Sequence, residues 1–148
     1  MNEECNNFRE RAPRILMVDD DPYLSLLLAD YLEEKGAEIV DIASIVEVAT
    51  SKLLENEYDI LISDHLLVDS IQQEDRQYAC DFIQRLRQGK ISKDERIKSM
   101  PVIIVSGYLL LSSSFNKIRN LYPSNTKFIA KPYEPKEILL AIEECLEN

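Results

Sequence analysis

Four short apolar runs, each ending on a polar residue, set the frame of this chain. Arg14-Ile-Leu-Met-Val18 meets Asp19-Asp20-Asp21-Pro22, and Asp59-Ile-Leu-Ile-Ser63 meets Asp64. Pro101-Val-Ile-Ile-Val105 meets Ser106, and Thr126-Lys-Phe-Ile-Ala130 meets Lys131. Bulky runs without alternation are what strands covered on both faces require. Residues 38–42 read as a further, shorter strand. Between the runs the apolar spacing becomes helical. Leu24, Leu27, Leu28, Tyr31 and Leu32 fall at i, i+3, i+4, i+7 and i+8 and predict one buried stripe. Asp21 is placed to cap that helix, Pro22 to open it and Gly36 to end it. Ser44 is placed to cap a second helix carrying Ile45, Val48, Ala49 and Leu53. Ala79, Phe82, Ile83 and Leu86 mark a third, ending near Gly89. Phe115, Ile118 and Tyr122 mark a fourth, stopped by Pro123. Ile138, Ala141, Ile142 and Cys145 mark the last, entered between Pro132 and Pro135.

Five strands alternating with five helices predict an α/β domain, a parallel sheet with helices on both faces, because parallel crossovers are right-handed. Two stretches stand outside this pattern. Residues 1–13 are polar and aperiodic and read as a flexible tail ahead of one domain over 14–148. Residues 65–77 are polar, acidic and aperiodic, and read as a loop longer than usual between a strand and a helix.

Composition restricts the partners. The 148 residues suffice for one full core. A net charge of −10 and a pI near 4.6 argue against direct nucleic-acid or anionic-membrane binding, which need a basic surface. Cys5, Cys80 and Cys145 are odd in number and form no C-x-x-C, which suggests neither a disulfide framework nor zinc and suits a reducing, cytoplasmic setting. The amino terminus lacks signal-peptide character, and no apolar run approaches membrane-spanning length.

In a parallel sheet all strand ends share one edge, where α/β ligands bind. Asp19, Asp20, Asp64, Ser106 and Lys131 therefore converge. Clustered carboxylates either raise one another's pKa or hold a cation, and an oxygen-only set suits Mg²⁺ better than zinc. A hydroxyl and an ammonium facing that ion provide what the oxygens of an incoming phosphoryl group need. The chemistry indicated is phosphoryl transfer onto a carboxylate. The bland reading of each residue alone is a solvated acidic turn, a strand-end hydroxyl and a surface lysine.

Taken together, I-L-M-V-D-D-D-P, Y-D-I-L-I-S-D, P-V-I-I-V-S-G and F-I-A-K-P-Y, in that order from Arg14 onward, resemble the receiver domain of two-component response regulators. The resemblance implies a flavodoxin-like, doubly wound five-stranded sheet of order 2-1-3-4-5. It implies that Asp64 accepts a phosphoryl group from a histidine kinase or histidine phosphotransfer protein. Asp20, Asp64 and the Leu66 backbone carbonyl would hold Mg²⁺, with Asp19 assisting through water. Ser106 and Lys131 would bond the phosphoryl oxygens, Phe128 would turn inward on activation into the space Ser106 vacates, and Lys131-Pro132 would be cis. The expected protein is a stand-alone receiver that signals through a downstream protein target, with phosphorylation-linked dimerisation as one form of that signal. It would be no enzyme beyond its own phosphoryl transfer and hydrolysis.

The chain departs from the family pattern after Asp64. Leu66-Leu67-Val68-Asp69 enters a polar insert where a short turn is usual, and Tyr78-Ala79 stands where Asp-Gly would fall. His65 is expected to point away from the acids by strand alternation. Tyr108 lies where a bulky ring would restrict water near the phosphoryl group. Two other readings fit parts of the sequence. One is a pseudo-receiver that docks a partner independently of phosphorylation. The other is a haloacid-dehalogenase-type phosphatase using Asp19-x-Asp21, which leaves Asp64 unexplained.

Overall fold

Period-two alternation along the buried strands divides their side chains between two cores, one on each face of the sheet. The computed structural model describes residues 3–70, 73–107 and 112–147. Its strands are β1 (Arg14–Val18), β2 (Ile39–Ala43), β3 (Ile60–Asp64), β4 (Leu66–Ser70), β5 (Gln73–Tyr78), β6 (Val102–Ser106) and β7 (Lys127–Ala130). The helices are α1 (Glu3–Arg11), α2 (Pro22–Lys35), α3 (Val46–Glu55), α4 (Ala79–Arg87), α5 (Glu95–Lys98), α6 (Ser112–Arg119) and α7 (Pro135–Leu146). Five strands pair in parallel in the order β2-β1-β3-β6-β7, the flavodoxin-like order expected.

Leu16, Val18, Leu61, Val102 and Ile104 face one way and pack with Ala49 and Leu53 of α3, Phe82, Ile83 and Leu86 of α4, and Ile118 of α6. Ile15, Met17, Ile60, Ile62, Ile103, Val105 and Ile129 face the other way, against Leu28, Ala29 and Leu32 of α2 and Ile138, Leu139 and Ile142 of α7. Fully burying one such aliphatic side chain contributes about 1.5–3 kcal/mol, so both helical layers are held by the same run of residues. Among the described residues no helix is long and apolar enough to cross a membrane.

Several sequence expectations require correction. The α2 stripe faces the core only in part: Ser25, Leu28, Ala29 and Leu32 are buried, whereas Leu24 and Leu27 are 43% and 67% exposed. Small Ser25 and Ala29 turn inward because they let the helix approach the sheet closely. Ser44 does not cap α3, whose N-cap is Ile45 without a side-chain hydrogen bond. The segment 65–77, expected as a loop, contains the antiparallel hairpin β4-β5, with residues 71 and 72 outside the described residues. Neither segment carries an apolar alternation that marks a strand in isolation, and each is paired with the other.

Residues 1–13, expected as a flexible tail, instead contain α1. Phe8 is 1% exposed in the α2/α7 core, and one large aromatic suffices to dock a short helix that periodicity cannot reveal. Arg9 Nη2 donates to the Glu34 carbonyl at 2.8 Å, and an Arg11 guanidinium N–H donates to the Leu146 carbonyl. Gly36 ends α2 with φ of 122°, and a Cβ there would fall 2.6 Å from Arg9 Cα. Glycine is thus required both by the backbone conformation and by the approach of α1. With α1 and the four-residue α5, the described residues form seven helices where five were expected.

Candidate functional site

Register brings the polar strand ends together. Val18 pairs with Ser63 and Asp64 with Val105, while Ser106 pairs with Ala130. Asp19 continues the alternation of Ile15 and Met17, Asp64 that of Ile60 and Ile62, and Lys131 that of Ile129. All three therefore emerge on the α2/α7 side of the sheet edge. Lys131 Nζ lies 3.3 Å from Asp64 Oδ2 and 3.5 Å from Asp19 Oδ2. Asp19, Asp20 and Asp64 each offer one carboxylate oxygen within 4.8 Å of the others.

The three consecutive aspartates have separate tasks. Asp21 Oδ1 accepts from the N–H groups of Tyr23 and Leu24, both at 3.1 Å, and so caps α2. Asp19 Oδ1 accepts from the Asp21 N–H at 2.9 Å, which aims its other oxygen at Lys131. Asp20 joins the cluster with Asp19 and Asp64. On the neighbouring strand, Asp64 Oδ1 accepts from the His65 N–H at 2.8 Å, leaving Oδ2 toward Lys131.

The electrostatics follow from partial burial. Asp19 has its pKa raised, chiefly by desolvation and further by the Asp64 charge, against the opposing Asp21 N–H and Lys131. Desolvation acts to lower the Lys131 pKa, but Asp64 and Asp19 together outweigh it and the net shift is upward. The Lys131 ammonium thus meets Asp19 and Asp64, with Asp20 beside them, in a half-buried recess. Three clustered carboxylates, as hard oxygen donors, fit a small divalent cation such as Mg²⁺.

The remaining expected site residues take distinct positions. Ser106 is buried at the end of β6, and its carbonyl accepts from the Lys131 N–H at 3.0 Å. Phe128 packs on the other face of the sheet, against the core that holds α3 and α4. Leu66 opens β4; because the Ala79 N–H donates to the His65 carbonyl at 2.6 Å, Leu66 and Tyr78 form a non-hydrogen-bonded pair, and the Leu66 carbonyl turns out of the hairpin ladder. The Lys131-Pro132 peptide is cis. Tyr108 lies outside the described residues. His65 points away from the acids, as alternation indicates, into a buried contact with Tyr122.

Two nearby tyrosines have a place at the site that the sequence does not assign them, Tyr122 being expected only in a helical stripe and Tyr133 only as the end of F-I-A-K-P-Y. Tyr133 has its pKa raised, first by burial and also by Asp19, Asp21 and Asp64, with Lys131 opposing. Its place directly after Lys131-Pro132 was the available signal. Tyr122 carried none, since its value lies in a partner 57 positions away.

No family model matches the chain. It is 26% identical over 135 residues to the transcriptional regulatory protein ResD of Bacillus subtilis, covering 91% of this chain and 48% of that protein. It is also 26% identical over 134 residues to response regulator Rre1 of Synechocystis, covering 89% and 51%. The chain spans about half the length of these curated relatives. Among solved structures it superposes on the receiver domain of Francisella response regulator 1452 with a TM-score of 0.65 and 24% identity, covering 90% of this chain and 95% of that one. On the chemotaxis response regulator CheY4 of Vibrio cholerae the TM-score is 0.70 at 18% identity, with coverage of 90% and 98%. The fold is therefore that of receiver domains. In sequence the chain is similar to response regulators of two-component systems, in agreement with the resemblance its motifs carry.

Proposed function

We propose that the chain is a response-regulator receiver that takes a phosphoryl group on Asp64 in a Mg²⁺-dependent reaction and thereby changes its protein contacts. The observation that carries this reading is the meeting of Asp64 with Asp19, Asp20 and Lys131 at one sheet edge. An Asp64 carboxylate oxygen attacks phosphorus; the new P–O bond forms as the donor's P–N bond breaks, and the departing imidazole nitrogen keeps the electron pair. Lys131 neutralises charge on Asp64 and then pairs with the phosphoryl oxygens, while Ser106 donates its hydroxyl to them. Asp19, Asp20, Asp64 and the outward-turned Leu66 carbonyl would hold Mg²⁺, which supplies charge neutralisation for the transferring oxygens.

A protein donor is supported by the surface beside the site. A groove of about 490 Å³ is lined by Leu24, Leu27, Leu28, Pro132, Tyr133 and Pro135 and reaches Lys131. The exposed half of the α2 stripe lies there, so an apolar partner surface could rest against α2 while presenting its phosphohistidine to Asp64. The partner is then a histidine kinase or a phosphotransfer protein, and the setting is cytoplasmic.

The test is incubation of the full chain with Mg²⁺ and a small acyl phosphate, followed by mass spectrometry. The expected product carries one hydroxylamine-labile phosphoryl group mapped to Asp64, and Asp64→Asn carries none. A chain that stays unmodified while still binding a partner would instead be a phosphorylation-independent docking module. A label on Asp19 would indicate a phosphatase-type nucleophile.

A further inference from the structure

Asp64 is attached at its back to a second group that plays no part in the acid cluster. The His65 N–H donates both to Asp64 Oδ1 at 2.8 Å and to the Val105 carbonyl at 3.1 Å. The His65 side chain is 2% exposed, and its Nδ1 lies 2.6 Å from Tyr122 Oη. Tyr122 follows α6, is buried, and meets Phe128 edge-on with ring centroids 5.5 Å apart and an interplanar angle of 75°. Phe128 pairs with Ile104, two positions before the Ser106 and Ala130 pair. Contacts therefore run without a break from the Asp64 carboxylate through His65 and Tyr122 to Phe128, by a route separate from Ser106 and Lys131.

His65 and Tyr122 are both buried, so their contact is shielded from solvent. Nδ1 and Oη make one hydrogen bond in either imidazole tautomer, with the ring N–H donating in one and the phenol O–H in the other. Shielded from water, that bond fixes the Tyr122 ring, and the ring edge in turn limits where Phe128 can lie.

We propose that His65 and Tyr122 are positioning residues that hold Phe128 in its resting place and release it when the Asp64 carboxylate is modified. The proposal rests on the reading of Asp64 as phosphoryl acceptor. On forming the acyl phosphate, one carboxylate oxygen becomes the P–O–C bridge and the other a carbonyl, and both accept hydrogen bonds more weakly than before. The shared His65 N–H then shifts toward the Val105 carbonyl. The imidazole moves with its backbone, Tyr122 follows through the short hydrogen bond, and the edge contact that confines Phe128 opens.

The experiment uses the full chain with Mg²⁺ and beryllofluoride. Fluorine NMR reads occupancy of Asp64, and proton NMR of labelled phenylalanine, assigned with Phe128→Leu, reads the ring. Before any beryllofluoride is added, Tyr122→Phe, which keeps the ring and removes only the hydroxyl, is expected to shift the Phe128 signals; unchanged signals would overturn the proposal. On loading, the variant should keep the bound-fluoride signal while its Phe128 displacement is about halved or smaller, and a displacement equal to wild type would also overturn it. In a double-mutant cycle with His65→Leu, the double variant should lose no more than either single one; additive losses would show two independent contacts. His65→Asn, whose amide sets a polar atom on Cγ as Nδ1 is set, should restore the wild-type response. A wild type that binds no beryllofluoride would refute the acceptor reading and the release with it, and the measurement before loading would still decide whether the pair holds Phe128.

Discussion

The two exits from the sheet that carry the acids are built in opposite ways. After β1 the chain passes at once into α2: Asp19 is fixed by the Asp21 N–H, Asp21 caps the helix and Pro22 opens it. After β3 the chain leaves Asp64, makes the β4-β5 hairpin and returns where the Ala79 N–H bonds the His65 carbonyl. The first exit is specified residue by residue. The second is closed by a backbone hydrogen bond at its base and lies beside α3 through β4, so a long insert is carried without displacing the carboxylate. Immediately beyond that base the core resumes with Ala79, Cys80 and Phe82.

This contrast can be sharpened by unfolding measurements. The largest effect is expected from Phe82→Ala, about 3–5 kcal/mol of lost stability in a denaturant titration, because a fully buried ring leaves a cavity where the chain rejoins the core. Asp21→Ala should cost about 0.5–2 kcal/mol through the lost cap. Replacing residues 67–77 by a short glycine-containing turn should change stability by less than about 1 kcal/mol, since loop length enters only logarithmically. A loss from that replacement as large as that of Phe82→Ala would make the hairpin part of the core and abolish the distinction between the exits.

The smallest effect concerns pH. A carboxyl whose pKa is raised in the folded state favours folding while protonated, and that contribution is lost as pH rises from the ordinary value of 3.8 through the raised one. Asp19→Asn keeps the acceptor for the Asp21 N–H and removes the buried charge. Its stability at pH 7, read from unfolding, should therefore exceed that of wild type slightly, by less than about 1 kcal/mol. The difference should vanish as pH falls through 3.8. A variant less stable than wild type at pH 7 would mean that the Asp19–Lys131 pair outweighs desolvation.

Short-range chemistry was legible in the chain and long-range pairing was not. The five strands and the meeting of Asp19, Asp20, Asp64 and Lys131 follow from apolar runs that stop on charged residues, because parallel pairing forces their ends together, whereas the strand order came with the family resemblance. The Asp21 cap and the Gly36 stop were readable for the same local reason. Helix α1 was not, because it depends on one aromatic, Phe8, whose cavity is made by α2 and α7. Neither was the hairpin, whose strands exist only as each other's partners. On α2 the periodicity located a helix, but the spacing of Leu24, Leu27 and Leu28 could not tell the leucines that meet the sheet from those that flank the groove beside Lys131. Tyr122 shows the limit most clearly: nothing around it in sequence points to His65.

The central claim is that carboxylates from two differently built exits form a single cation site. Calorimetric titration of the full chain with Mg²⁺ at neutral pH, compared with Asp20→Asn, tests it most directly. Saturable one-to-one binding that weakens about tenfold or more in the variant is predicted, since Mg²⁺ relies on only a few carboxylates. Equal binding by both proteins, or none by wild type, would contradict it.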